Sequence, residues 1–399
     1  MGTKAKKVGV LGGAAGVCVV LVVLWAGRDK RADSRPEPNK VQVAPAAKSE
    51  DSWPMFRGGQ KLLGRASGNL GDSMSVAWRF KTGGPIKSSP AIEDGVVFAG
   101  SSDANVYAVD LATGEQFWAY RASDEVEASP CVVNQTVFVG SLDGYFYAID
   151  ARDGSLKWKY KTGSQISGGA NWSVSPDGGR IGVLVGSYDY NMYCFDAVDG
   201  RVVWKYETGN YVNGSPAVDA GRAIFGGCDA VIHVVSTADG RLIRGIDTGS
   251  YIAGSAAFSD GYAYVGNYGN EFIKAEIDGG KVVWRYSCED AIFSSPAVSE
   301  RLVVFGARDK RVHCVDIESG KEVWTFQTLG DVDSSPVICG GKVIVGSGDG
   351  RLYMLRLADG QEVWSYEIGR PIFSSPAVAR GTVVVGSDDG YLYAFRATK

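Results

Sequence analysis

The chain has few of the residues that most often carry metal or redox chemistry. It contains only two histidines, and its seven cysteines show no CxxC spacing, no adjacent pair and no Cys/His spacing suited to zinc or haem. These absences exclude a haem-attachment motif and argue against a disulfide framework. We interpret the cysteines in strand-like segments as small buried hydrophobic residues, with pairing between neighbouring strands left open.

The sequence also lacks long runs of charge of one sign. Its formal net charge is -4 and it has no basic stripe, so we expect no nucleic-acid partner. From about Trp53 to the end the composition is even, which favours one repetitive body over several unlike domains. The 54 glycines and the 11% of aromatic residues are typical of short strands joined by glycine-rich turns, and they predict an all-β fold.

One long apolar run is present, at the amino end. Residues 8–27 are uncharged and follow three lysines, which predicts a transmembrane helix that acts as a signal anchor within residues 1–31. Two alternatives stay open: a cleavable signal peptide, for which residues 24–26 are a poor site, and a lipoprotein modified at Cys18. Residues 32–52 are rich in proline, alanine and charge, and they predict a disordered linker.

Residues 53–399 contain eight copies of a unit of about 40 residues, a period typical of propeller blades. A Ser-Pro element recurs through Pro90, Pro130, Pro216, Pro296, Pro336 and Pro376, with Ala170 and Ala256 in register at the two gaps. A tryptophan recurs in the same frame at Trp78, Trp118, Trp158, Trp204, Trp284, Trp324 and Trp364, with Arg244 in the remaining position. Because one such sheet cannot bury both faces alone, the repeat predicts an eight-bladed β-propeller.

Each unit divides into four strands bounded by Gly, Asp or Ser. In the first copy the strands are predicted at residues 88–92, 96–100, 106–110 and 115–118. The step between the third and fourth copies is longer, which predicts a lengthened hairpin near residues 171–179. The chain ends after a third strand, and residues 76–82 are a spare fourth strand. We therefore expect these two strands to pair and close the ring.

The recurrent tryptophans are predicted to lie between adjacent blades, where each ring buries about 150–250 Å². Arg244 should make a softer joint, although a guanidinium can also stack flat. The string Ala108-x-Asp110-x-x-Thr113-Gly114-x-x-x-Trp118 resembles the tryptophan-docking motif of the quinoprotein (PQQ-type) propeller family. The aspartate of this motif is replaced at Ser236, Glu276, Arg356 and Arg396. A WD40 propeller is the nearest alternative by period, but its Gly-His pair and Trp-Asp ending are absent.

This resemblance implies one of two kinds of protein. The family includes alcohol and sugar dehydrogenases that hold pyrroloquinoline quinone (PQQ) and calcium over the propeller axis. It also includes stand-alone bacterial propellers outside the inner membrane, whose lead-in resembles residues 53–59. Eight units of about 40 residues leave no long insertion for a lid or a cofactor cage, and the vicinal cysteine pair of membrane-type alcohol dehydrogenases is absent. The sequence therefore favours a non-catalytic member.

The candidate catalytic and metal-binding residues have structural interpretations. His233 and His313 fall in the position where other blades have Tyr107, Tyr147, Tyr193, Tyr353 and Tyr393, so we expect packed strand residues. Aspartates recur between the second and third strands, at Asp103, Asp143, Asp189, Asp229, Asp309, Asp349 and Asp389. We interpret them as turn residues rather than calcium ligands. We predict no catalytic residue, metal ligand or cofactor, with a small PQQ- and calcium-dependent dehydrogenase as the alternative.

The strongest candidate for a binding site is one face of the propeller, formed by the Asp turns and the loops that lead into the Ser-Pro strands. Its candidate partner-binding residues are Trp172, Tyr188, Tyr190, Tyr211, Tyr251, Tyr268, Phe293 and Phe373. Exposed aromatic residues favour protein or peptide contacts, although these could instead pack on one another in the funnel mouth.

These observations predict a non-catalytic scaffold for protein–protein interaction. The resemblance places it in the periplasm, anchored to the bacterial inner membrane by the amino-terminal helix. Its expected partners are other envelope proteins or peptides, during the assembly of envelope and outer-membrane proteins. An extracytoplasmic ligand-sensing domain is a further alternative.

Overall fold

The computed structural model describes residues 50–398, which form an all-β propeller of eight blades. Each blade is built on an antiparallel sheet of four strands that follow one another in sequence, except that the eighth takes one strand from the amino end. In blade seven, the short strand Arg65–Ala66 adds a fifth strand, parallel to the first. First strands of neighbouring blades contact each other at seven of the eight joints, including the joint between blade eight and blade one. The ring is therefore closed, and the predicted eight-bladed fold is confirmed.

The first four blades contain β3–β18. These strands are β3 Ala91–Glu93, β4 Val96–Gly100, β5 Asn105–Asp110 and β6 Gln116–Arg121; β7 Cys131–Val133, β8 Thr136–Gly140, β9 Tyr145–Asp150 and β10 Leu156–Lys161; β11 Asn171–Val174, β12 Ile181–Gly186, β13 Asn191–Asp196 and β14 Val202–Glu207; β15 Ala217–Asp219, β16 Arg222–Gly226, β17 Val231–Ser236 and β18 Leu242–Asp247. The lengthened hairpin predicted in blade three lies between β11 and β12.

The last four blades contain the remaining strands. They are β19 Ala257–Ser259, β20 Tyr262–Gly266, β21 Glu271–Glu276 and β22 Lys281–Ser287; β23 Ala297–Val298, β24 Leu302–Ala307, β25 Arg311–Asp316 and β26 Glu322–Gln327; β27 Val337–Cys339, β28 Lys342–Gly346, β29 Arg351–Arg356 and β30 Glu362–Glu367; β31 Ala377–Ala379, β32 Thr382–Gly386 and β33 Tyr391–Ala397. Near the amino end are a short 3-10 helix, Phe56–Gly58, and strands β1 Arg65–Ala66 and β2 Met74–Lys81.

Burial explains why the sequence forms these sheets. The middle strands are buried along their length, as in β12 and β13, whereas outer strands such as β22 alternate between half-buried and exposed residues. The second strand of most blades ends in a glycine, and a Cβ atom at Gly140 would lie 2.1 Å from Cγ2 of Ile166. This close approach lets the loop into the next blade pack directly on the strand.

The closing strand is confirmed. β2 pairs with β33 in antiparallel register, with Arg79 opposite Tyr393, and it forms the outer strand of blade eight. The strand was predicted at residues 76–82 and is observed at Met74–Lys81. The pairing covers the edge of β33 that would otherwise be unpaired.

Six of the seven predicted tryptophans dock between blades in the same way. The indole Nε1–H donates to a carbonyl of the next blade at 2.8–3.2 Å, for Trp78, Trp118, Trp158, Trp204, Trp284 and Trp324. Each of these rings lies against the turn glycine of the next blade, as Trp118 does against Gly154. Arg244 substitutes in part, because its guanidinium donates to the carbonyl of Asp278 at 3.1 Å.

Trp364 is the exception. Blade eight takes its fourth strand from the amino end and therefore has no third-to-fourth-strand hairpin to receive the ring. Trp364 instead packs edge-on against Phe395, with ring centroids 5.5 Å apart, and stays half-buried. Trp364 therefore lies between adjacent blades, as predicted, but does not have the turn-glycine dock of the other six.

A segment that the sequence did not predict runs around one end of the ring. We call residues 50–66 the N-terminal belt. Their backbone carbonyls accept hydrogen bonds of 2.6–2.9 Å from the first strands of seven blades, through the N–H groups of Ile92, Val132, Val218, Phe258, Val298, Ile338 and Arg380. In blade three, the side chain of Asn171 donates to Gln60 O instead, at 2.8 Å. The belt is thus bonded to every blade.

Arg57 fastens the centre of the belt. Its guanidinium is buried and donates to the carbonyls of Pro296, Ser335 and Pro336. Burial lowers the pKa of Arg57 to about 9, which still leaves the group a cation at neutral pH. The cation therefore satisfies three carbonyls that water does not reach.

Two predictions concern the amino end. The predicted transmembrane helix within residues 1–31 lies outside the described residues, as does most of the predicted linker, residues 32–52. Residues 50 and 51 are described and already contact blade eight through Arg380. Within residues 50–398, no helix has the length and apolar character needed to cross a bilayer.

Candidate functional site

The Asp turns and the loops that enter the first strands share one end of the propeller, as predicted. We call it the open end, because the belt covers the other. In blade one, the carboxylate of Asp103 accepts bonds from Gly83 N at 2.6 Å, Asn105 N at 3.0 Å and Tyr107 Oη at 2.7 Å. The interpretation of these aspartates as turn residues is confirmed, because six of the seven carboxylates tie a turn to the preceding loop and that of Asp389 bonds within its own hairpin.

The histidines also have the predicted strand positions. His233 Nε2 lies 2.8 Å from Asp229 Oδ2, and His313 Nε2 lies 3.0 Å from Asp309 Oδ2, so both rings occupy the place of the tyrosines. The two histidines belong to separate blades, four and six. They do not form a pair.

The recurrent Ser-Pro element lines the central channel rather than forming the first strand itself. The serine before the proline accepts a bond from the backbone N–H of the equivalent serine in the preceding blade. These bonds of 2.8–3.3 Å run in one direction through Ser215, Ser255, Ser295, Ser335, Ser375, Ser89 and Ser129. Gly169 takes the remaining position. The ring of serines therefore explains why the motif recurs.

The channel mouth at the open end is a small cavity of about 190 Å³, with Phe56 of the belt among its lining residues. Its charged lining residues are Lys87, Glu127 and Asp333. Lys87 Nζ lies 2.6 Å from Glu127 Oε1. Burial raises the pKa of the nearby Asp388, although the positive charge of Lys87 acts to lower it. The described mouth is therefore narrow and mildly acidic.

Six of the predicted aromatic residues do come together at the open end. We call Tyr188, Tyr190, Tyr211, Tyr251, Tyr268 and Phe293 the aromatic arc. It contains two groups: Tyr211 stacks on Tyr188 with centroids 4.8 Å apart, and Tyr268 lies 4.7 Å from Phe293 and 6.4 Å from Tyr251. The rings pack on one another, yet Tyr190, Tyr211, Tyr251 and Tyr268 stay 40–53% exposed.

One end of the arc is held by a charged pair. The Arg308 guanidinium lies 3.6 Å from the centroid of Phe293 and donates two bonds to Asp333, at 2.9 and 3.1 Å. An arginine that is stacked and paired in this way is rigid. The arc therefore presents a preformed surface.

The other two predicted residues lie elsewhere. Phe373 lines the channel mouth, in the loop between blades seven and eight. Trp172 is buried at the belt end, where it belongs to the same apolar cluster as Met55 and accepts a bond from Gln60 Nε2 at its carbonyl. Placing Trp172 with the tyrosines was wrong, because it lies in the first strand and its side chain joins the core beneath the belt.

The six described cysteines are unpaired. Four are buried, and burial raises the pKa of Cys131, Cys194 and Cys314 to about 12 and that of Cys339 to about 11. Such thiols stay protonated at neutral pH and are poor nucleophiles. The interpretation of these four as buried hydrophobic residues is confirmed.

One cluster of possible metal ligands was not predicted from the sequence. Ligand atoms of Cys288, Asp309 and His313 all lie within 4.8 Å of one another, at the joint between blades five and six. The signal was present, because Cys288 takes a position where other blades have threonine, such as Thr208 and Thr328. No local motif links the three residues, which are too far apart in the sequence for a metal-binding spacing to be recognised.

The repeat, the tryptophan docks and the closed ring define a β-propeller of the PQQ-like repeat class. The chain belongs to the family described as outer membrane protein assembly factor BamB, which its sequence matches over residues 71–179, 161–250 and 229–399. No curated protein matches the sequence significantly.

Solved structures with this fold have several functions. BamB from Moraxella catarrhalis is 20% identical, with a TM-score of 0.69 over 81% of this chain and 100% of that one. Quinohemoprotein alcohol dehydrogenase from Comamonas testosteroni is 15% identical, with a TM-score of 0.75 over 89% and 82%. The computationally designed protein Ika8 is 17% identical, with a TM-score of 0.70 over 79% and 97%. At these identities the similarity shows the fold alone.

The channel mouth does not fit PQQ with calcium. The quinone carries three carboxylates, but the one described cationic side chain that lines the mouth, Lys87, is already paired with Glu127. Glu127 and Asp333 come from distant blades and bind Lys87 and Arg308, so they do not converge as a calcium site would require. The cavity of about 190 Å³ is also smaller than the roughly 300–1,000 Å³ of typical ligand pockets.

Proposed function

We propose that this chain is a non-catalytic scaffold of the bacterial envelope that binds partner proteins at the open end of its propeller. In this proposal, the amino-terminal helix anchors it in the inner membrane and the propeller lies in the periplasm. Membership of the family named after an outer-membrane assembly factor supports a role in envelope protein assembly. The solved BamB structure supports the same role through its shared fold.

The aromatic arc is the observation that carries this proposal. Large aromatic side chains that stay partly exposed, on a surface held by an arginine pair, are the residues that most often dominate binding energy at protein interfaces. Rigid tyrosines provide contact area at little cost in side-chain entropy. Tyr211 and Tyr251, 41% and 53% exposed, are the most exposed members of the two groups in the arc.

The shape of the open end favours binding of an extended segment of a partner protein over binding of a ligand that fills a pocket. The arc follows the rim of blades three to six, and the narrow channel mouth lies inside it. On the other side of the mouth are Glu125, Glu127 and Asp388, with Lys87 between them. A peptide with aromatic or apolar residues toward the arc and basic residues toward these carboxylates would complement both surfaces.

Site-specific photo-cross-linking tests the proposal. A photoreactive residue at Tyr211 or Tyr251 should cross-link to envelope proteins in intact cells, including components of the outer-membrane assembly machinery. The matched control is Val198, which is 85% exposed in the turn after β13 at the belt end. Equal cross-linking at Val198 and at the arc, or none at the arc, would refute the proposed surface.

The alternative is a small quinoprotein dehydrogenase, which the fold similarity to quinohemoprotein alcohol dehydrogenase favours. The unsuitable lining of the channel mouth argues against it. Adding PQQ and calcium to the purified protein separates the two functions. We expect no stoichiometric uptake of the quinone and no oxidation of alcohols, and tight uptake of one quinone per chain would overturn the scaffold proposal.

A further inference from the structure

The two histidines occupy equivalent positions in blades four and six, but their surroundings differ. Both are nearly buried against an aspartate: the side chains of His233 and Asp229 are 8% and 11% exposed, and those of His313 and Asp309 are 3% and 1% exposed. The residue that follows the last strand of the preceding blade differs between the two pairs. It is Thr208 beside the pair of blade four and Cys288 beside the pair of blade six. The pair in blade six therefore has a thiol where the pair in blade four has a hydroxyl.

This single change assembles three kinds of metal ligand. One ligand atom each of Cys288, Asp309 and His313 lies within 4.8 Å of the others. Zinc binds thiolate, imidazole and carboxylate at about 2.0–2.3 Å in a tetrahedral arrangement. In a tetrahedron of that size the ligand atoms lie about 3.3–3.8 Å apart, so the widest separation in the cluster would have to close by about 1 Å for the three side chains to share one ion.

A second difference concerns the hydrogen bonding of the imidazole. Tyr206 Oη lies 3.0 Å from His233 Nδ1, and Tyr286 Oη lies 3.1 Å from His313 Nδ1. Tyr286 also lies 2.8 Å from Glu322 Oε2, whereas the equivalent position in blade four is Leu242. A phenol has one proton, and the Glu322 carboxylate is the stronger acceptor for it.

The consequence is a different hydrogen-bonding role for Nδ1 in each blade. With its proton given to Glu322, Tyr286 can only accept from His313, so Nδ1 of His313 carries hydrogen and Nε2 is the atom that would face a cation bound beside Asp309. In blade four, Tyr206 is free to donate to Nδ1 of His233, which leaves Nε2–H to donate to Asp229. A metal-bound histidine typically gives its other N–H to a polar partner, as His313 does here.

We propose that Cys288, Asp309 and His313 bind a zinc-class divalent cation, with Glu322 acting through Tyr286 to orient the imidazole. A thiolate, a carboxylate and a neutral imidazole balance the charge of a divalent ion, which suits a largely buried site. The sulfur and nitrogen ligands select zinc over calcium, which takes oxygen ligands. Since Cys288 follows β22 of blade five and the other ligands belong to blade six, the ion would clamp the two blades together.

Metal titration of the purified, chelator-treated full chain tests this site. We expect one Zn²⁺ per chain, and Co²⁺ should give the charge-transfer absorption of a cobalt–thiolate bond. Cys288→Thr, which places the residue of blade four at this position, should abolish both signals. His233→Tyr is the matched control in blade four and should leave them unchanged. The proposal would be overturned if the wild type bound no zinc or if Cys288→Thr bound it equally well.

Glu322→Leu tests the orienting role separately. This variant copies Leu242 of blade four, so the propeller should fold, and the three ligands remain. We expect zinc affinity to fall roughly tenfold, as for other outer-shell partners, while the cobalt–thiolate absorption persists at saturation. An unchanged affinity would contradict the role assigned to Glu322. Loss of the thiolate band would contradict the ligand role of Cys288 in that variant.

Discussion

The two ends of the propeller are held in different ways. At the belt end, backbone carbonyls of residues 50–66 bond to the blades, and buried belt side chains such as Met55, Arg57 and Leu62 add to these contacts. At the open end, side chains such as Asp103 fix each turn locally, and tyrosines of the arc remain exposed. The comparison indicates that the belt end holds the ring together, while the open end can vary in sequence and bind.

The largest effect should come from removing the belt and the closing strand together. Deleting residues 53–82 takes away β2, the partner of β33, and leaves the first strands without the carbonyls that satisfy them. This loss should exceed the roughly 5–15 kcal/mol by which a domain is stable. We expect no cooperative thermal transition by circular dichroism.

A shorter deletion of residues 53–66 separates the belt from the closing strand, since it retains β2. We expect this variant to melt well below the wild type, because the first strands lose their belt carbonyls. If either deletion melted as hot and as cooperatively as the intact chain, the belt end would not be what holds the ring.

The next largest effect should come from Arg57→Met. The change keeps most of the apolar volume of the side chain but leaves the carbonyls of Pro296, Ser335 and Pro336 without a donor. Each unsatisfied buried acceptor costs about 1–3 kcal/mol, so we expect a loss of roughly 3–6 kcal/mol in the free energy of unfolding. Urea unfolding measures it.

Arg308→Met at the open end is the matched control. Arg308 is 38% exposed, and its partner Asp333 can be solvated when it is lost. A partly exposed pair of this kind contributes about 0–1 kcal/mol. An equal loss for the two variants would remove the distinction between the ends.

The fold could be predicted from the sequence because recurrent side chains mark the repeat of about 40 residues. The spacing of Trp118 and its equivalents defined the blades, and the spare strand that contains Arg79 defined the closure. The belt could not be predicted, because its bonds come from backbone carbonyls that every residue has. The failed dock at Trp364 follows from the same closure, which leaves blade eight without a receiving hairpin.

The candidate site was predicted in part, for related reasons. Position within the repeat placed Tyr211 and Tyr251 correctly, because loops of equal length project their residues to the same end. It failed for Trp172, whose strand begins at that position, so that its side chain enters the core. The cluster at Cys288 was missed because the ligands come from two blades, and only the register between blades brings them together.

A smaller effect than that of Arg57→Met is expected for Asp189→Asn at the open end. The Asp189 carboxylate accepts bonds from Tyr193 Oη at 2.7 Å, Gly163 N at 2.7 Å and Asn191 N at 3.1 Å. Asparagine keeps one acceptor oxygen and similar volume, and blade five already has Gly269 in this position. We therefore expect a loss of about 1–2 kcal/mol at neutral pH.

The dependence of that loss on pH distinguishes a charged turn residue from a merely space-filling one. Burial alone would raise the pKa of Asp189, but its hydrogen bonds from Tyr193, Gly163 and Asn191 hold it below the ordinary value of 3.8. Between the folded and unfolded pKa values the unfolded chain binds more protons, so the stabilisation is complete above about pH 4 and disappears as pH falls through the lower folded value. The difference in unfolding free energy between the wild type and Asp189→Asn should therefore shrink in acid. A difference that stayed constant from pH 7 to pH 2 would show that the charge of Asp189 has no part in holding the open end.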